Sequence, residues 1–211
     1  MLIEGTAEQP VVSVAGYAAV RDADLQANLN RYLAETIFMP NVNPDTVPWE
    51  KTQRRLYYLV RMIVCVTPYR IRWWPNRAAM DNAPEEWRAT ADTIFPESDP
   101  KPPGKPAPAS NWPQRPWQEL ADTVLAQNNP GHLTLLDSEG FPLPLRVKSY
   151  KQHADGFIID VPKGAPWSEG QATLSFFGKE VFVGDVSRDG EEAILKVERS
   201  LPILPMMDDR T

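Results

Sequence analysis

Two cationic side chains stand two residues apart in a segment of alternating polarity. If Leu143–Lys151 is a β-strand, its alternation places Arg146, Lys148 and Tyr150 on one face. A phosphate group requires fixed positive charge and hydrogen-bond donors, which an arginine and a lysine on one strand face supply. The segment therefore indicates a phosphate site. The alternative is a solvated strand face opposite acidic neighbours such as Asp160, which is common in half-exposed antiparallel strands.

The run Arg70-Ile-Arg-Trp-Trp-Pro75 is the most distinctive local feature of the chain. A tryptophan beside an arginine can stack on a flat, polarisable ring and polarise its carbonyl groups. Arg72, Trp73 and Trp74 are therefore candidates for binding a ring system. The competing interpretation is that one tryptophan packs in the core and the other beneath the proline-rich segment, because aromatic side chains dominate core burial.

Residue types that serve hydrolysis or zinc binding are sparse. His132 and His153 are the two histidines, and neither has another histidine or a cysteine at metal-ligand spacing. Cys65 lies between two valines in a strand pattern, which predicts a buried and inert thiol. The sequence contains no Gly-x-Ser-x-Gly elbow, phosphate loop or Gly-x-Gly-x-x-Gly turn. These observations argue against a hydrolase and against a structural zinc site.

The first 94 residues predict a small lobe built from a strand, a helix and a hairpin. Val11–Val20 is a strand candidate, and apolar residues at every fourth position predict a helix over Asp22–Ile37. Leu59–Val66 and Tyr69–Trp74 are predicted as two further strands, with Thr67-Pro68 at the turn between them. The lobe is too small to enclose a core of its own.

Residues 95–116 are rich in proline. Eight of the 22 prolines of the chain lie between Pro96 and Pro116. Because proline lacks a backbone donor, the segment is neither a helix interior nor a central strand. It predicts an extended, partly polyproline linker between two lobes, and a ligand for a proline-recognising partner is the rarer alternative.

Residues 117–211 predict a short amphipathic helix followed by a meander of antiparallel strands. The helix begins near Trp117, and from His132 onward the apolar residues alternate with period two. Asp137-Ser-Glu-Gly140 and Asp189-Gly190 are typical hairpin turns. A meander of this size closes into a small barrel. The predicted strands are Leu133–Leu136, Leu143–Lys151, Phe157–Val161, Ala172–Phe177, Val181–Ser187 and Ala193–Arg199. The residues predicted to face inward are Leu133, Leu135, Val147, Phe157, Ile159, Leu174, Phe176 and Val183.

Composition excludes several classes of protein. Hydrophobic residues make up 42% of the 211 residues, enough for a core, and no apolar run approaches the roughly 20 residues of a membrane helix. The net charge is −6, and residues 117–211 hold 9 Lys and Arg against 15 Asp and Glu. Nucleic acid and anionic membranes are therefore poor partners. The start, Met1-Leu2-Ile3-Glu4, has no signal-peptide pattern, and a single cysteine forms no intrachain disulfide, so we expect a cytoplasmic protein.

Several segments resemble the split-barrel flavin-binding proteins related to pyridoxamine 5′-phosphate oxidase. The run Gly131-His-Leu-Thr-Leu-Leu-Asp-Ser-Glu-Gly-Phe-Pro142 looks like the opening hairpin of that family. Residues 155–161, 172–177 and 181–186 resemble its next three strands, and residues 11–20 and 61–74 are similar to its closing strand and final hairpin. The resemblance implies a mainly β (α+β) fold, an antiparallel split β-barrel with a few short helices.

The order of these parts differs from that of the family. Residues 1–94 look like the C-terminal half of one split barrel, and residues 117–211 like the opening strands of another. A tandem repeat without its start, a permuted single domain and a shortened second barrel are the three explanations. Because the family's flavin lies between two barrels of a dimer, the resemblance implies a homodimer or a pseudo-dimer within the chain.

The resemblance also implies a set of cofactor-binding residues. It places phosphate-binding basic residues on the strand Leu143–Lys151 and in the loop after the next strand, which here is Pro162-Lys-Gly-Ala-Pro-Trp-Ser168. This loop keeps only a lysine and a serine of the family's Ser-Arg-Lys type of loop. The strand containing the two tryptophans would approach the cofactor from the neighbouring subunit. The resulting candidates for binding flavin mononucleotide are Arg146, Lys148, Lys163, Ser168, Arg72, Trp73 and Trp74.

Two classes of function remain open at this stage. The first is a flavin-binding split-barrel protein, an oxidoreductase that acts on a small molecule through a flavin or deazaflavin. The second is a barrel module without a cofactor that serves in binding or assembly. The sequence indicates no catalytic residue, substrate or reductant.

Overall fold

The computed structural model describes residues 1–24, 28, 63–100, 116–126, 130–176 and 180–202 of the chain. In these ranges the protein is mainly antiparallel β with one α-helix, as predicted. The strands are β1 (Leu2–Ile3), β2 (Val11–Arg21), β3 (Ile63–Trp74), β4 (Glu85–Arg88), β5 (Gly131–Leu136), β6 (Pro142–Arg146), β7 (Ser149–His153), β8 (Gly156–Asp160), β9 (Ser168–Phe176), β10 (Glu180–Asp189) and β11 (Glu192–Pro202). Helix α1 spans Trp117–Ala126, and a short 3-10 turn spans Ala78–Asp81.

The chain forms two compact units. One contains residues 1–15, 69–89 and 108–211, and the other contains residues 16–68 and 90–107. This grouping differs from the sequence-based division at residues 94 and 116, because segments of the first 94 residues belong to the same unit as the predicted second lobe. Most of the predicted helix Asp22–Ile37 and residues 101–115 of the proline-rich segment lie outside the described residues.

A four-stranded sheet has the order β1-β2-β3-β4. The predicted hairpin with its turn at Thr67-Pro68 is wrong, because β3 runs without interruption from Ile63 to Trp74. Gly16 lies beside this proline on the neighbouring strand: a Cβ atom at Gly16 would collide with the carbonyl oxygen of Thr67. The glycine on the neighbouring strand thus permits a close backbone approach.

In the unit formed by residues 16–68 and 90–107, the start of the predicted linker is held by hydrogen bonds. Asp99 accepts from Arg21 Nη1 at 2.9 Å and from the backbone N–H groups of Asp22 at 3.1 Å and Ala23 at 3.0 Å. The N–H of Ala23, followed by the Arg21 guanidinium, keeps the pKa of Asp99 below its usual value. Residues 97–99 are therefore anchored to the end of β2.

The seven remaining strands form an antiparallel sheet of order β6-β5-β9-β10-β11-β8-β7. Its two edge strands are consecutive in the chain, so the sheet curls into a split-barrel-like half-barrel. The predicted single strand Leu143–Lys151 is wrong, because it divides at Val147 and Lys148 into β6 and β7. The N–H of Val147 donates to Gly131 O at 3.1 Å, and the N–H of Lys148 donates to Asp160 O at 2.9 Å. The chain thus changes its pairing partner from β5 to β8 within two residues.

The hairpin turns predicted at Asp137-Ser-Glu-Gly140 and at Asp189-Gly190 are confirmed. At the β5–β6 turn the N–H of Asp137 donates to Phe141 O at 3.0 Å, and Gly140 has a φ of +79°. At the β10–β11 turn Gly190 has a φ of +60°. Glycine adopts these left-handed conformations without the steric cost that other residues meet.

The core confirms seven of the eight predicted inward residues. Val183 is the exception, since it is half-buried while the neighbouring Phe182 is fully buried. Residues 181–183 are apolar on both faces, so alternation alone does not select the inner face. Phe182 takes the inward position, where its ring lies 4.9 Å from the ring of Phe157 and 6.1 Å from that of Phe176.

Helix α1 confirms the predicted amphipathic helix and covers the sheet at β10 and β11. It buries Leu120, Ala121 and Val124, and the ring of Trp117 lies 5.9 Å from that of Phe157. Within the described ranges, no helix combines the length and apolarity that crossing a membrane requires.

Candidate functional site

A pocket of about 310 Å³ lies at the corner where β6 passes into β7. Arg146 and Lys148, the two cations predicted to bind a phosphate, both line it. They flank the two-residue connection at which the chain changes its partner strand. The full lining consists of Leu125, Pro130, Gly131, Arg146, Val147, Lys148, Ser149 and Tyr150.

Gly131 makes room for this corner. A Cβ atom there would lie 3.1 Å from Val147 Cγ2 and 3.2 Å from Tyr150 Cδ1, closer than side chains normally approach. Val147 is buried, and the Tyr150 ring packs edge-on against Phe176 with ring centroids 5.0 Å apart. Burial also raises the pKa of the Tyr150 phenol. The pocket therefore has one aromatic wall and two cationic side chains.

Each of the two cations contacts a carboxylate. Arg146 Nη1 lies 3.3 Å from Glu4 Oε1, and the Lys148 ammonium pairs with Asp81 Oδ1. Glu4 has further partners, with His132 Nε2 at 2.9 Å from Oε1 and Arg77 Nη2 at 3.9 Å from Oε2. The Lys148 ammonium, together with a backbone N–H, holds the pKa of Asp81 below its usual value.

Lys163 and Ser168, predicted from the resemblance as phosphate ligands, do not line the pocket. The Lys163 ammonium pairs with Glu191 Oε1 at 2.7 Å, and its backbone N–H donates to Asp81 Oδ1 at 3.0 Å. Ser168 begins β9 and pairs with Leu136 of β5. Lys163 and the pocket cation Lys148 thus both contact Asp81.

Arg72, Trp73 and Trp74 are also absent from the pocket lining. Trp74 is 1% exposed and its indole N–H donates to Asn82 O at 3.0 Å, so it belongs to the core. Trp73 is half-buried opposite Glu85. The structure does not bring these residues to the pocket of their own chain, and an approach from a neighbouring subunit stays a prediction.

Sequence reasoning missed a cluster of buried charges in the same compact unit. Arg70 is 1% exposed and Asp137 3%, and the two form an ion pair. Arg72 Nη1 contacts the same Asp137 oxygen at 3.0 Å, and Arg72 Nε donates to Glu86 Oε2 at 2.6 Å. The other Asp137 oxygen accepts the N–H groups of Glu139 at 2.9 Å and Phe141 at 3.1 Å. We refer to Arg70, Arg72, Glu86, Arg88, Asp137 and Glu139 as the arginine–carboxylate cluster.

The cluster balances three positive charges against three negative ones. Arg88 binds Glu86 Oε1 and Glu139 Oε1, each at 2.6 Å. Its guanidinium keeps the pKa of Glu139 below the usual range, whereas burial lowers the pKa of Arg70. The neutral sum and the burial of Arg70, Arg72 and Asp137 indicate a structural connection between β3, β4 and the β5–β6 turn. Period-two alternation could have placed Arg70 and Arg72 on one face, but it gives no sign of a partner 65 residues away.

Among the residues that the structure describes, no three His, Cys, Asp or Glu side chains are grouped to hold a metal ion. No protein-family model, curated protein or solved structure matches the chain. The fold and the pocket therefore define this protein only as a mainly β, split-barrel-like protein with a cationic corner pocket. The resemblance to the flavin-binding split barrels stays a prediction.

Proposed function

We propose that this protein binds a phosphate-bearing small molecule in the corner pocket, with flavin mononucleotide as the candidate ligand. One observation supports the proposal: Arg146 and Lys148 line a single pocket beside the ring of Tyr150. An arginine offers two parallel donors to a phosphate and a lysine offers a compact positive charge, so the pair suits a phosphate ester.

The pocket suits part of a flavin mononucleotide. Its volume of about 310 Å³ is at the lower end of the roughly 300–1,000 Å³ of small-molecule sites. The phosphate and the chain next to it would fill such a space, and the flavin ring would lie outside it. The ring would then need further surface, which a second copy of the chain would supply. We therefore include a homodimer in the proposal, to be tested by light scattering.

Arg146 and Lys148 would hold the phosphate, and the ring of Tyr150 would exclude water from one side. A bound flavin would supply hydride chemistry, and the protein would act as an oxidoreductase on a small molecule. The chain offers no assigned catalytic residue, so binding is the part of the proposal that can be tested first.

A module without a cofactor, serving in binding or assembly, is the second candidate. The observation in its favour is that Arg146 and Lys148 already have carboxylate partners in Glu4 and Asp81. If these ion pairs are permanent, the corner is a structural joint. The two candidates make opposite predictions for ligand titration.

The decisive experiment is a titration of the purified protein with flavin mononucleotide, followed by flavin fluorescence. Charge-assisted hydrogen bonds contribute about 1.5–3 kcal/mol, so Arg146→Ala should weaken binding by tenfold or more. Arg199→Ala is the matched control, because Arg199 is exposed on β11 and does not line the pocket. Riboflavin, which lacks the phosphate, should bind wild type and Arg146→Ala equally. The absence of saturable binding at sub-millimolar ligand would favour the cofactor-free candidate.

A further inference from the structure

The two carboxylates that contact the pocket cations differ in how many partners each has. Glu4 lies within reach of three groups, Arg146 at 3.3 Å, His132 at 2.9 Å and Arg77 at 3.9 Å. If Arg146 turns toward a ligand, Glu4 keeps the other two.

Asp81 has fewer partners than Glu4 but is more exposed, with 42% of its side-chain surface accessible against 15%. Its Oδ1 contacts the Lys148 ammonium and accepts the backbone N–H of Lys163 at 3.0 Å. The hydrogen bond from Lys148 is the largest cause of the lowered pKa of Asp81. The Lys163 ammonium itself is engaged by Glu191 at 2.7 Å. If Lys148 turns toward a ligand, Asp81 keeps the Lys163 N–H and its contact with solvent.

We propose that Glu4 and Asp81 are internal counter-ions that set the charge of the ligand, so that the pocket prefers a singly charged anion to a doubly charged one. Each pocket cation is then shared between its own carboxylate and the ligand. This inference rests on the proposed function and specifies the ligand class of the same pocket.

The charge balance of the corner leads to the same preference. Arg146 and Lys148 contribute two positive charges, and the carboxylates in contact with them contribute two negative ones. A phosphate dianion entering the pocket would meet both carboxylates at short range, where like charges repel strongly. A monoanion can bind one cation and leave the other ion pair intact.

The test compares two flavin phosphates at pH 8. Flavin mononucleotide is a dianion there, because the second pKa of a phosphate ester is about 6. Riboflavin 4′,5′-cyclic phosphate carries a single negative charge on a phosphodiester. In wild type the cyclic ester should bind at least as tightly as flavin mononucleotide. Asp81→Asn should tighten flavin mononucleotide by about tenfold, because Lys148 gains freedom to act as a second charge-assisted donor. The same substitution should change binding of the cyclic ester by less than about threefold, because a monoanion uses only one of the cations.

Two variants control this measurement. Glu198→Gln removes the same charge from an exposed position of β11 outside the pocket, and should change neither affinity. Glu4→Gln should likewise favour flavin mononucleotide over the cyclic ester, because it removes the counter-ion of Arg146. Thermal unfolding of each variant shows whether it remains folded, and Asn at position 81 can still accept the Lys163 N–H.

The outcomes separate this inference from the proposed function. If wild type binds both esters and Asp81→Asn leaves their affinity ratio unchanged, the counter-ion role is refuted and ligand binding stands. If only Asp81→Asn binds flavin mononucleotide, the counter-ion role stands and the proposed ligand of wild type is refuted. If no form of the protein binds either ester up to millimolar concentration, both proposals are refuted.

Discussion

The corner pocket and the arginine–carboxylate cluster are built from the same side-chain types in different surroundings. In the cluster Arg70 and Asp137 are almost fully buried and each charge is met by an opposite one. At the pocket Arg146 and Lys148 remain partly exposed beside a cavity. Burial makes the first set costly to disturb, whereas solvent access leaves the second set free to exchange partners. An ion pair next to a cavity is therefore the better candidate for ligand binding.

The largest expected effect is that of Asp137→Asn on stability. The amide can still accept the N–H groups of Glu139 and Phe141, but it leaves Arg70 and Arg72 without their shared negative charge. Removing one partner of a buried ion pair costs about 3–5 kcal/mol, which should appear as a lower free energy of unfolding in urea. Asp185→Asn, at an exposed position of β10, should change it by no more than about 0.5 kcal/mol. Equal effects of the two substitutions would show that the cluster is not structural.

A smaller effect is expected from acid. The Arg88 hydrogen bond holds the pKa of Glu139 below its usual value of 4.5, so the folded state binds this proton less readily than the unfolded state. The stabilisation is therefore fully present above pH 4.5 and is lost as the pH falls through the lower folded value. Unfolding free energies measured between pH 6.5 and pH 3 should fall less steeply for Glu139→Gln than for wild type. Glu198→Gln should follow the wild-type curve, and a Glu139→Gln curve parallel to wild type would contradict the assignment.

The smallest effect is expected at Lys163, which the resemblance implicates in phosphate binding. Its ammonium is exposed and paired with Glu191, and it does not line the pocket. Lys163→Ala should therefore leave both the melting temperature and the affinity for flavin mononucleotide within experimental error of wild type. A loss of affinity comparable to that of Arg146→Ala would show that the loop moves onto the ligand, and would restore the role that the resemblance implies.

Local pattern predicted most of the strands and seven of eight inward residues, because alternation reports which face of a strand is buried. It failed where tertiary pairing overrides the local signal. Thr67-Pro68 resembles a turn but lies within β3, where the backbone of Thr67 closely approaches Gly16 of the neighbouring strand. Leu143–Lys151 resembles one strand but divides where it changes partner.

The candidate site was also predictable only in part, because the local sequence shows residue types and spacing but not distant contacts. Arg146 and Lys148 were recognised from their types and spacing, and the structure places both at one pocket. Their carboxylate partners are Glu4, which follows β1 and lies 142 residues from Arg146, and Asp81 of the 3-10 turn. No local pattern reports such distant contacts. Asp137 was likewise identified only as a turn residue, although it is the shared partner of two buried arginines.

The two-residue connection between β6 and β7 couples the pocket to the local opening of the two edge strands. Arg146 ends one edge strand of the half-barrel, and Lys148 precedes the other edge strand. An anion bound to both side chains would connect the two edge strands of the half-barrel. By mass action, a ligand that binds only while the two edge strands lie together opposes their local separation in proportion to RT ln(1 + [L]/Kd). Amide hydrogen exchange in β6 and β7 would then slow as ligand is added, so that occupancy of the pocket could be followed by the dynamics of the strands.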